Sequence, residues 1–139
     1  MGLTPRIGSK SVRLLLDSNR FIDFCSGDPE VVSRLESAVQ VVVPFVVLAE
    51  IRVGSFLLKR GLEQARVLTE FLQQPGVRTV HSTDATTHHC ASLYVYLRKQ
   101  GTPIPTNDIW IAALALEHSL VVYTRDSHFD HLPQIPKIR

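Results

Sequence analysis

Short apolar runs recur along this sequence, separated by segments of helical period, and that alternation limits the possible folds more than any other feature. Val12–Leu16 is nearly continuous and apolar, the pattern of a strand buried on both faces. Gln40–Val43, Val77–Val80 and Leu120–Tyr123 read as further strands, and Lys137–Ile138 as an edge strand. Asp17-Ser18-Asn19 offers cap chemistry for a short helix through Phe24, and Asp28-Pro29 opens a second one. That second helix places Val31, Val32, Leu35 and Val39 on one side. Pro44 starts a long helix from Phe45 to about Arg60, ended by Gly61. Leu62–Gln74 follows, with Leu62, Ala65, Leu68, Phe71 and Leu72 inward and Pro75-Gly76 as its stop. Thr83 or Asp84 caps a helix that Gly101 ends, and Ile109–His118 is the most apolar helix. Strands alternating with helices predict an α/β fold, a mostly parallel sheet covered on both faces. In such a sheet the site lies beyond the carboxyl ends of the strands.

A length of 139 residues suits one domain, read here as residues 12–139 behind a flexible N-terminal tail of residues 1–11. The longest apolar stretch, Val41–Ala49, is broken by Pro44, whereas a membrane span needs about 20 apolar residues. The first ten residues lack the apolar block of a signal peptide, so no membrane association is expected. Fifteen Lys and Arg against thirteen Asp and Glu leave +2, too little to announce a polyanion partner by bulk charge. Cys25 and Cys90 form neither a metal-type pair nor a disulfide framework, which fits a cytoplasmic setting.

Most of the thirteen acids fall at caps or on polar faces, and Asp23 lies ambiguously within a short helix. Four are placed unusually. Asp17 follows the first strand, where it could equally cap the next helix. Glu50 has Val46, Val47, Val53, Gly54 and Leu57 at helical spacing, which predicts a core-facing carboxylate in need of a partner. Asp108 opens the most apolar helix, where complementing the dipole is the ordinary role. Asp126 lies just past the last long strand, a common place for a turn aspartate. A parallel sheet brings such positions to one end of the fold. Four converging carboxylates raise one another's pKa unless cations neutralise them, and all-oxygen ligation selects Mg²⁺ or Mn²⁺.

Leu15-Leu-Asp-Ser-Asn19, Leu48-Ala-Glu-Ile51, Thr106-Asn-Asp-Ile-Trp-Ile-Ala-Ala113 and Thr124-Arg-Asp-Ser-His-Phe129 resemble the four acidic motifs of PIN domains. Their order and spacing are most similar to the VapC-type ribonuclease toxins of bacterial toxin–antitoxin pairs. The resemblance runs from about Val12 to Ile138. It implies a three-layer α/β/α sandwich, Mg²⁺- or Mn²⁺-dependent cleavage of single-stranded or loop RNA, a homodimer and a cognate antitoxin. Asp17, Glu50, Asp108 and Asp126 match the acidic quartet, with Asp17 and Asp108 as the most regular metal ligands. Ser18, Asn107 and Thr124 match polar positions that orient those carboxylates. One departure is Arg20, at a position usually apolar in these motifs. It would contact a substrate phosphate or pair with an acid and dampen the site.

Arg125, like Arg20, is either an ordinary ion-pair residue or a contact for RNA phosphates beside the metal. His128 and His131 invite a zinc site, but solvated surface histidines are the commoner reading. Phe21, Phe24, Phe56, Leu57 and Leu58 read as core, with a dimer or antitoxin groove as the family-based alternative. A metal-dependent endoribonuclease leads. A catalytically weak RNA-binding or antitoxin-occupied scaffold is the other reading, with Arg20 in its favour.

Overall fold

The computed structural model describes residues 12–139, so the expected tail lies outside the described residues. The chain runs through β1 (Arg13–Leu16), α1 (Ser18–Cys25), α2 (Pro29–Ser37), β2 (Gln40–Pro44), α3 (Phe45–Leu57) and α4 (Gly61–Phe71). It continues with β3 (Val77–Val80), α5 (Asp84–Gln100), α6 (Thr106–His118), β4 (Val121–Tyr123), a 3₁₀ turn (Ser127–His131) and β5 (Lys137–Ile138). The strands form one sheet in the order β3-β2-β1-β4-β5, every pairing parallel. This is the expected α/β architecture, with the sheet wholly rather than mostly parallel.

β1 lies at the centre of that sheet, which explains its unbroken apolar run: Leu14, Leu15 and Leu16 are fully buried. From β1 the chain steps outward through β2 to β3, then returns across to β4 and β5 on the other side. Because crossovers are right-handed, the outward and return connections cover opposite faces. Phe21 and Phe24 of α1 meet Phe71 of α4 in one aromatic cluster, with centroid separations of 5.0–6.2 Å. The reversal puts a crevice between the carboxyl ends of β1 and β4, where Leu16 pairs with Tyr123.

Two helix boundaries depart from expectation at Gly61. It opens α4 instead of closing α3, and α3 ends earlier, at Leu57. A Cβ on Gly61 would lie 1.7 Å from the Gly54 carbonyl oxygen, so backbone packs directly on backbone there. Only glycine permits that approach. The turn also leaves Val53, Phe56, Leu57, Leu58 and Leu62 exposed, Phe56 at 88%. The core reading of Phe56, Leu57 and Leu58, and the inward reading of Leu62, are therefore corrected. Val39 lies beyond the end of α2 and is likewise exposed.

Candidate functional site

Asp17 leaves β1 in extended conformation and caps α1, its Oδ1 accepting from the Ser18 amide at 2.8 Å. Its other oxygen accepts from the Thr124 hydroxyl at 2.7 Å and the Asn19 amide group at 3.3 Å. The cap reading of Asp17 holds, and the same carboxylate lies close enough to Asp126 to feel its charge. Burial pushes its pKa up and the Asp126 charge adds to that, while the donors from Thr124, Ser18 and Asn19 oppose the rise. Thr124 thus fastens the end of β4 to the end of β1. Asn19, read in the sequence only as part of the helix-cap motif, does the same by donating to Thr124 and accepting from the Arg125 amide.

Asp108 lies inside the first turn of α6, because that helix starts at Thr106 rather than Ile109. It is 9% exposed, and its pKa is raised to about 6. Burial is the main cause; Asp17 and Asp126 add repulsion, while the His128 contact pulls the other way. Asp126 caps the 3₁₀ turn by accepting from the His128 amide at 2.9 Å. The His128 ring then turns back into the site. Its Nδ1 lies 2.8 Å from Asp108 Oδ2 and 3.0 Å from Asp126 Oδ1.

Glu50 corrects one expectation. Val53 and Leu57 on its helix are exposed, and Glu50 is itself exposed rather than set against the core. It is exposed yet near enough to Asp17 and Asp108 to feel their charge. Partial burial there raises its pKa, the charges of Asp17 and Asp108 raise it further, and the Ser18 and Asn107 side chains oppose them. A carboxylate that feels both Asp17 and Asp108 lies on the same side of the fold as they do. The apolar neighbours that suggested burial belong to a helix apolar nearly all round, on which spacing alone cannot say which side is covered.

The arginines beside the acids are tied down outside the quartet. Arg125 grips Asp23 through both carboxylate oxygens, at 2.9 and 3.1 Å. Arg20 reaches the same carboxylate at 3.1 Å and lies over the Tyr123 ring, 5.1 Å from its centroid. The Arg125 hydrogen bonds hold the Asp23 pKa below the usual carboxylate range, with Arg20 assisting. Arg20 therefore pairs with an acid, but not with one of the four. Asp23, ambiguous in the sequence, is the hub of this brace between α1 and the β4 end.

Residues 14–135 match the PIN domain family. The chain belongs to that family. Ribonuclease VapC5 of Mycobacterium tuberculosis is 30% identical over 132 residues, covering 93% of this chain and 90% of the relative. Among solved structures, FitAcB from Neisseria gonorrhoeae superposes with a TM-score of 0.71 at 30% identity, covering 91% of this chain and 96% of that one. VapBC-5 from Mycobacterium tuberculosis, described as a member of the VapBC family of toxin–antitoxin systems, gives 0.71 at 27% identity. It covers 92% of this chain and 98% of that one.

In this PIN domain, Asp108, Asp126 and His128 each offer a ligand atom, all within 4.8 Å of one another. They could hold a metal ion. The donor chemistry fits a divalent cation: three carboxyl pKa values are raised, mainly by burial and each partly by its carboxylate neighbours' charge, as expected where negative groups converge. His128 was weighed in the sequence as a zinc candidate with His131 and set down as a surface histidine. The available signal was its place two residues after Asp126, at the start of a turn. No described helix is long and apolar enough to cross a membrane.

Proposed function

We propose that this PIN domain is a divalent-metal-dependent endoribonuclease, the toxin of a toxin–antitoxin pair, cutting single-stranded or loop RNA. The observation that supports this reading is the cluster of Asp108, Asp126 and His128, together with the mutual charge that helps raise the pKa values of Asp17, Glu50 and Asp108. Relatives named as VapC ribonucleases, and solved VapBC toxin–antitoxin structures, support the same activity. Asp108 and Asp126, with Asp17 and Glu50 around them, would hold Mg²⁺ or Mn²⁺. Such an ion lowers the pKa of bound water and stabilises negative charge on a phosphodiester.

The chain's own residues set the stage for that chemistry. Thr124, Asn19 and the Ser18 amide orient Asp17, while Asn107 and Ser18 flank Glu50. Arg125, half exposed and steadied by Asp23, offers its remaining guanidinium donors to an RNA phosphate. Arg20 is the weaker phosphate candidate, because Asp23 and Tyr123 occupy it. The weak-scaffold reading loses its support at the same point, since Arg20 neutralises Asp23 rather than the quartet.

The exposed apolar side chains of α3 and α4, Val53, Phe56, Leu57, Leu58 and Leu62, support protein partners, here a cognate antitoxin and a second copy in a homodimer. Cys25 and Cys90 are free, in keeping with a cytoplasmic protein. The test is cleavage of a structured RNA by purified protein with Mg²⁺ or Mn²⁺, with and without EDTA. Cleavage should require the ion and vanish in Asp17→Asn. Chelator-resistant cleavage by the purified chain would refute the metal mechanism.

A further inference from the structure

His128 is built into the acid pocket by the same short turn that carries Asp126. Phe129 and Leu132 are fully buried and anchor that turn in the core. The His128 amide is fixed by the Asp126 carboxylate. With both ends held, the imidazole is directed between Asp108 and Asp126, its Nδ1 at 2.8 and 3.0 Å from their oxygens. Among the described residues it is the one basic side chain within salt-bridge distance of either acid, since Arg20 and Arg125 go to Asp23.

We infer that His128 supplies a nitrogen ligand to the divalent cation held by Asp108 and Asp126, so that this site prefers Mn²⁺ to Mg²⁺. The inference rests on the metal-dependent reading above and adds a ligand that the acidic quartet lacks. An imidazole nitrogen suits transition ions, whereas Mg²⁺ favours oxygen donors and gives up its waters reluctantly. A site of four carboxylates alone would have no such bias. The competing role for the same geometry is a built-in counter-cation, with protonated His128 sitting where an ion would otherwise go. The two roles predict opposite effects of removing the ring.

Mn²⁺ and Mg²⁺ are titrated separately into metal-free protein by calorimetry, comparing the unmodified chain with His128→Gln and His128→Asp. Melts in EDTA check that each variant is folded. We expect Mn²⁺ to bind the unmodified chain about tenfold or more tighter than Mg²⁺. His128→Gln should weaken Mn²⁺ by about tenfold and Mg²⁺ by no more than about threefold, while His128→Asp should bring the two ions together. Pulsed electron paramagnetic resonance of the Mn²⁺-loaded unmodified chain should show coupling to a directly bound ¹⁴N, absent in His128→Gln.

Tighter binding of both ions by His128→Gln would overturn the inference in favour of the counter-cation. So would bound Mn²⁺ without nitrogen coupling. Neither result touches the nuclease reading, which fails separately if the chain binds no divalent ion or cuts RNA without one.

Discussion

Helix α6 carries a carboxylate near each end, and the two have opposite fates. Asp108 lies in the first turn, where the helix dipole favours a negative charge, yet its pKa is raised to about 6. Glu117 lies in the last turn, where the dipole opposes it, yet its pKa is lowered. The dipole is worth about 0.3–1 kcal/mol, and here local partners outweigh it at both ends. Glu117 accepts from the hydroxyls of Thr86 and Thr83, which ties α6 to the start of α5. Asp108 sits among Asp17, Asp126 and Glu50 with His128 as its one close partner. At Glu117 two hydroxyl donors outweigh burial, whereas at Asp108 burial and the neighbouring carboxylates outweigh its contact with His128.

The largest contrast should appear in activity. Asp108→Asn is expected to lose RNA cleavage by about a hundredfold or more, whereas Glu117→Gln should keep it within about twofold. Initial rates at saturating Mn²⁺ decide the matter, and equal losses would erase the distinction between the two ends. Stability should show the reverse order. Removing the Glu117 charge leaves two hydroxyl donors with a poorer acceptor, for an expected loss of about 1–2 kcal/mol in urea melts. An unchanged midpoint would mean that the Thr86–Glu117 contact holds nothing together.

The lesson about legibility follows from these residues. β1 was readable because a central parallel strand is apolar on both faces, and Asp17, Asp108 and Asp126 stood out because they lie just past a strand or in the first turn of an apolar helix. What stayed hidden was long-range pairing. Asp17 with Thr124, and Asp23 with Arg125, join residues more than 100 positions apart, and no local period encodes such a choice. His128 was set down as a surface histidine because its partner Asp108 lies 20 residues away. α3 misled for a different reason: a helix apolar on most sides does not announce which side the fold covers. Glu50 was therefore set against the core, and Phe56 and Leu57 inside it.

A smaller effect should appear with pH. Asp108 binds its proton more tightly folded than unfolded, so the folded state is favoured at low pH. That advantage is lost as pH rises from about 4 through about 6. His128, whose pKa is raised first by its Asp108 contact, adds stability below its ordinary value that is lost as pH rises further. Glu117 runs the other way, its contribution present above its ordinary 4.5 and lost as pH falls. In EDTA, Asp108→Asn should therefore flatten the decline in melting temperature above pH 4, and Glu117→Gln should flatten the loss below it. Identical profiles for the two variants would contradict the assignment of causes.

The smallest change in stability is expected for Glu50→Gln, within about 0.5 kcal/mol, because the residue is exposed. Its Mn²⁺ affinity and cleavage rate should nonetheless fall. A loss of several kcal/mol would restore Glu50 as a buried ion-pair partner.

The most direct measurement is the melting temperature of the unmodified chain and of Asp108→Asn at pH 7, first in EDTA and then with increasing Mn²⁺. Converging carboxylates that await a cation predict that Asp108→Asn melts higher than the unmodified chain in EDTA, since one buried charge is gone. Mn²⁺ should then raise the melting temperature of the unmodified chain by binding linkage and leave the variant nearly unmoved. A variant that melts lower in EDTA, or that gains as much from Mn²⁺ as the unmodified chain, would show that Asp108 is a structural carboxylate like Glu117 and not part of a metal site.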